Sequence, residues 1–151
     1  YSSAASDVYK RQVAQRTEDY KSGFYKSGGG VVSPLPDDAP QFVKDYYAYY
    51  KTPRGYHKRS LNSNNGWNVT SNLPFLNFKF FDYADELESA VMIVHGDKAH
   101  SFYFGKDTYA LLKGDNKEFV VVAGANHTDL YDGLSVIPFD KIESFFNENL
   151  K

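Results

Sequence analysis

The 151-residue chain has no cysteine, and its charge leans to neither side: 17 Lys and Arg against 19 Asp and Glu leave a formal net charge of −2. The first absence excludes disulfides, thiolate metal centres and cysteine nucleophiles. The second argues against a nucleic-acid partner, because neutralising phosphates takes a basic face. No apolar run approaches the roughly 20 residues of a bilayer span, so no membrane partner is expected. Methionine and tryptophan occur once each, and the opening YSSAASDVYKRQ carries neither an initiator Met nor the apolar core of a signal peptide. That opening resembles one translated frame of a transposon-based sequencing adaptor. On that ground residues 1–12 are read as a non-native scar, with the gene cut near Val13.

What the chain has in plenty is aromatic: 13 Tyr and 12 Phe. Such rings build cores and pocket walls, and they can also stack on sugars. The length suits one domain, and 42% hydrophobic with 24% charged residues is ordinary for a globular protein.

Residues 13–27 read as a polar helix broken by Gly28–Gly30. A Pro-rich connector follows, and then QFVKDYYAYYK, a helix with Asp37 or Asp38 as its cap and Pro40 in its first turn. Residues 52–68 form a long turn-rich loop with Arg54, His57 and Trp67. LPFLNFKFFDYADEL, 73–87, is amphipathic and suits a short helix. Residues 13–89 are therefore expected to be a helical and loop segment, cap-like, without a sheet of its own.

Residues 90–151 have a cleaner pattern. AVMIVHG and EFVVVAG are short apolar runs of the kind buried on both faces of a sheet. SFYFGKDTYALLKG between them and PFDKIESFFNENL after them are helical. Strand–helix–strand–helix predicts an α/β fold with two parallel neighbouring strands and flanking helices. Further strands are expected upstream.

Ligands of parallel α/β sheets bind at the carboxyl ends of the strands. Both runs end there in reactive side chains: His95, Asp97 and His100 after the first, Asn126, His127 and Asp129 after the second. A carboxylate accepting from imidazole Nδ1–H fixes the tautomer and leaves Nε2 to take a proton from a nucleophile. Asp97 is the candidate acid and His127 the candidate base, with Asp129 as the substitute acid. The order acid then histidine matches that of α/β-hydrolases.

VMIVHGDKAHSFYF, GANHTDLYD and IPFDKIESFF together resemble the C-terminal end of an α/β-hydrolase, from a bacterial branch related to dienelactone hydrolases and acetyl-xylan-type esterases. YYKTPRGYH and LNSNNGWN resemble the segment that precedes the acid strand in that branch. The resemblance implies a serine esterase with His127 as base; no cofactor is expected, the substrate is expected to be a small-molecule or carbohydrate ester, and Trp67, His100 and Tyr131 are the candidates to face it. Two features depart from it. No G-x-S-x-G occurs, so the nucleophile is expected upstream, in a missing N-terminal half, and the chain alone is expected to be inactive. In the pattern HG-x-x-D the acid falls on Ala99, two residues past Asp97.

Plainer readings stand beside these. His95 ends its strand with a backbone hydrogen bond, His100 begins a helix, His57 and Arg54 lie in a solvated loop, and Trp67 and the Tyr46–Tyr50 cluster are core residues rather than a sugar platform. Two rival functions also remain. His95, Asp97, His100, His127 and Asp129 supply enough nitrogen and oxygen for a zinc-dependent hydrolase, and the aromatic loops could serve a noncatalytic binding module.

Overall fold

The computed structural model describes residues 2–150 and divides into two compact units, one up to Phe78 and one from Lys79 onward. In the first unit, helix α1 (Ser2–Ser22) runs unbroken across the boundary expected after residue 12. Gln12 is buried, and its Nε2 donates to the Val69 carbonyl at 2.8 Å. The buried Asp19 accepts from the Lys26 N–H at 3.1 Å and from Gln15 Nε2 at 2.8 Å, so the chain turns where the helix ends.

A two-stranded antiparallel ribbon, β1 (Ser27–Gly29) with β2 (Trp67–Asn68), occupies a region expected to have no sheet. It is short and glycine-rich, with none of the alternation that marks a strand in sequence. Helix α2 (Gln41–Tyr50) matches its expected span, but Pro40 itself stands at the cap, not Asp37 or Asp38. The long loop is tied to itself. Asn64 Nδ2 donates to the carbonyls of His57 and Ser60, both at 2.9 Å, and Tyr56 donates to Asn64 Oδ1 at 3.0 Å.

The helix expected over 73–87 breaks in two: α3 (Asn72–Asn77) and a single 3₁₀ turn at Ala84–Glu86. Adjacent Phe80 and Phe81 cannot share one helical face, and their rings meet edge-on at 5.0 Å instead. The two units divide between Phe78 and Lys79. Phe81, Tyr83 and Leu87 face Val91 and Leu112 around an apolar hollow of about 430 Å³, which ties this segment to the strands.

The second unit follows the expected order. Strand β3 (Val91–Gly96) lies parallel to β4 (Lys117–Val122), paired residue for residue from Val91↔Lys117 to Gly96↔Val122. Helix α4 (Phe102–Leu111) crosses between them and covers one face, where Phe102 and Tyr109 stack on Phe119 at 5.9 and 5.6 Å. A short helix α5 (Asp129–Asp132) follows β4, and helix α6 (Phe139–Asn149) buries Phe145 beside Glu118, on the other face. The strands are half-buried rather than enclosed, and Val121 is 46% exposed. With two strands in this sheet among the described residues, each has an open outer edge. No helix among the described residues is long and apolar enough to cross a membrane.

Candidate active site

The carboxyl ends of β3 and β4 are locked together before any functional group is placed. Asp97 N–H donates to the Val122 carbonyl at 3.1 Å, and Lys98 N–H donates to the Ala125 carbonyl at 3.0 Å. Gly96 makes this approach feasible, since a methyl group there would lie 2.2 Å from the Ala125 oxygen. Gly124 takes φ +78°, a left-handed turn that L side chains enter only at a cost. The small residues around His127 thus let two strand ends cross closely. Ala125 is 3% exposed and does not open a space for substrate.

Beyond that crossing, Asn126 organises the turn. Its Oδ1 accepts from Thr128 N, Thr128 Oγ1 and Asp129 N at 2.9, 3.1 and 3.0 Å. Asp129 Oδ2 returns the exchange by accepting from Asn126 N–H at 2.9 Å. This reciprocal pairing resembles a helix capping box, and it starts α5. The Asn-x-x-Asp spacing was the available signal for it. His127 projects from this fixed turn.

The imidazole of His127 is half-buried and held at both nitrogens. Nδ1 lies 3.2 Å from Ser101 Oγ, and Nε2 lies 2.8 Å from the Tyr131 hydroxyl. Ser101 Oγ also lies 3.3 Å from His95 Nε2. His95 therefore meets a side chain, not the backbone group expected, and its ring stands edge-on to Phe102 at 5.7 Å. His100 is exposed, with its ring 6.1 Å from that of His127.

The expected pairing of Asp97 with His127 is not formed. Asp97 Oδ1 accepts from Gly124 N–H at 2.7 Å, and Ser101 is the group at Nδ1. The substitute acid, Asp129, accepts from the Asn126 N–H through its Oδ2. Both carboxylates satisfy loop N–H groups of the kind that a tight strand-end crossing leaves unpaired. Tyr131, expected to face substrate, contacts the His127 ring. Trp67 belongs to the first unit, where its Nε1 donates to Asn62 Oδ1 at 2.8 Å. His57 Nδ1 accepts from Arg59 N–H at 3.2 Å inside its own loop, and the Arg54 guanidinium lies over the Tyr49 ring. Among the described residues, no three His, Asp or Glu side chains gather as a metal site requires. Ser101 was missed because a serine at a helix start reads as an ordinary cap.

Burial holds the His127 pKa below the ordinary imidazole value of 6.5, and His100 and then His95 add repulsion. His95 is lowered too, by burial first and then by His100. Both rings therefore release their protons more readily in the folded chain than in the unfolded chain, which titrates near 6.5. Below that pH the unfolded state binds more protons. Stability present above pH 6.5 is therefore lost as pH falls through the lower folded values. The urea midpoint is expected to hold steady above neutrality and drop on acidification, with a shallower acid limb in His127→Gln. A midpoint that climbs toward acid pH would contradict the burial argument.

The fold is mixed α/β: a small parallel sheet with flanking helices. The crystal structure of the hypothetical protein PA2218 from Pseudomonas aeruginosa shares it, with a TM-score of 0.87 and 39% identity over 95% of this chain and 44% of that one. In sequence the chain is 47% identical over 137 residues to the uncharacterized protein PA2218, covering 90% of this chain and 36% of that protein. It is 29% identical over 151 residues to the uncharacterized protein YcjY of Escherichia coli K12, covering 89% of this chain and 44% of that protein. The chain thus spans less than half the length of these relatives. No protein-family model matches it.

Proposed function

We propose that this chain is the C-terminal part of a serine hydrolase of the α/β-hydrolase type, acting on esters, with His127 as its general base. One observation carries the reading: an imidazole just beyond the carboxyl end of a parallel strand, its pKa lowered by burial, has a hydroxyl oxygen 2.8 Å from Nε2. In the reaction a serine Oγ stands in the position that the Tyr131 hydroxyl takes here. Nε2 accepts the serine proton as Oγ attacks the ester carbonyl, then returns it to the departing alkoxide oxygen. Water repeats the cycle on the acyl-enzyme. Tyr131 must swing aside for this, and its ring, on the third residue of α5, is exposed.

The nucleophile is assigned to sequence upstream of Val13, in a G-x-S-x-G turn that these residues lack. Labelling with a fluorophosphonate tests the assignment. A protein extended by the upstream sequence of its gene is expected to label on one serine, and the 151-residue chain is expected to stay unlabelled. An extended protein that resists labelling while folded would refute the proposal.

A further inference from the structure

Four side chains of the second unit form one continuous hydrogen-bonded row: Tyr131 OH to His127 Nε2 at 2.8 Å, His127 Nδ1 to Ser101 Oγ at 3.2 Å, and Ser101 Oγ to His95 Nε2 at 3.3 Å. Above the titration range of the two imidazoles, each ring has one N–H and one lone pair, and each hydroxyl has one proton to give. The row therefore has a direction. A phenol donates more readily than it accepts, so Tyr131 gives its proton to the Nε2 lone pair. His127 then carries its proton on Nδ1 and donates to Ser101, and Ser101 donates to His95 Nε2. The reverse direction puts a proton on His127 Nε2 and removes the lone pair that a base needs there.

We infer that Ser101 is a positioning residue that holds His127 in the Nδ1–H tautomer and joins it to His95, occupying the place at Nδ1 that a carboxylate holds in a Ser–His–Asp triad. Its catalytic meaning rests on the reading of His127 as base, but the tautomer does not depend on it. The surroundings are built for the role. Asp97 Oδ1 accepts from the Gly124 backbone N–H at 2.7 Å, and the hydroxyl at 3.2 Å from Nδ1 is that of Ser101. Ser101 is fixed at the start of α4, where its carbonyl accepts from Phe104 N–H at 2.9 Å. His95 is wedged against the same helix, where a methyl group on Gly105 would lie 2.6 Å from its Nδ1.

Nitrogen-15 NMR of the imidazoles in the 151-residue chain, above their titration range, reads the tautomer directly. The wild-type chain is expected to show His127 mainly as Nδ1–H. Ser101→Ala is expected to lower the ratio of Nδ1–H to Nε2–H by roughly 2- to 12-fold, what one net hydrogen bond supplies. Ser101→Thr, which keeps the hydroxyl, is expected to restore it. His95→Phe is an independent route should Ser101→Ala fail to fold. It keeps an aromatic ring against Phe102 and frees the Ser101 hydroxyl to turn and donate to His127, so the ratio is again expected to fall. A wild-type Nε2–H tautomer, a ratio unmoved by both variants, or fluorophosphonate on Ser101 would each overturn the assignment. Absence of ester hydrolysis in the extended protein would remove the catalytic reading and leave the tautomer result intact.

Discussion

Replacing His127 with alanine in the protein extended by its upstream sequence is expected to lower kcat for ester hydrolysis by about 10²–10⁴-fold, the usual range for losing a positioned general base. KM is expected to move little, because the imidazole takes its proton only as the reaction proceeds. Hydrolysis at the wild-type rate in this variant would remove His127 from the mechanism. The companion experiment concerns Asp97. As a backbone clamp, its Oδ1 accepts from Gly124 N–H, a task that asparagine can also perform. Asp97→Asn should then be nearly neutral and Asp97→Ala harmful. If Asp97 swings to the imidazole in the reacting protein, Asn is expected to be harmful as well, since an amide cannot stabilise the imidazolium as a carboxylate does. Comparing the two substitutions separates clamp from acid.

The second large effect is expected at Gly96. Its missing side chain leaves the space in which the Ala125 carbonyl sits: an added methyl would meet that oxygen at 2.2 Å, its carbon at 2.7 Å and the Ala125 Cβ at 3.0 Å. Two of these atoms are backbone and none is the end of a flexible chain, so the strand ends have to separate. Gly96→Ala is expected to cost about 3 kcal/mol, the upper part of the range for overpacking, with a matching fall in urea midpoint. Gly124→Ala provides the contrast. That position has φ +78° but open space around it, so only the backbone penalty of about 1 kcal/mol applies. Equal losses at the two positions would show that close approach is not what Gly96 serves.

How much of this was legible in the sequence differs between the two units. The apolar runs at 90–96 and 118–124 carry their own signal, and the structure pairs Val91–Gly96 in parallel with Lys117–Val122, within two residues of those bounds. The ends of α4 and α6 fall within a few residues of the expected ones. The ribbon of β1 and β2 was invisible because Ser27–Gly29 has no side-chain pattern and is held by backbone bonds across the chain. At the site, residue types and strand ends located the histidine. They did not reveal how the carboxylates are spent. Gly124 and Asn126 each have a backbone N–H that needs an acceptor, and Asp97 and Asp129 are the acceptors within reach. Such demands arise from the path of the turn, which spacing alone does not describe. Ser101 entered for the converse reason: it precedes α4, whose packing on the sheet brings the hydroxyl between two imidazoles from different strands.

Lys117, the first residue of β4, is 8% exposed, and its Nζ donates to the carbonyls of Leu87 and Ser89. The same ammonium group is what trypsin must draw into its specificity pocket. In the folded chain it is already held by two carbonyl oxygens, and the peptide bond that follows it lies within a paired strand. Limited tryptic digestion should therefore leave the Lys117–Glu118 bond intact while exposed lysines are cut. Its first appearance as a cleavage site would mark the moment at which the 79–89 segment lifts off the strands, giving a clock for opening of this unit that needs no spectroscopic label.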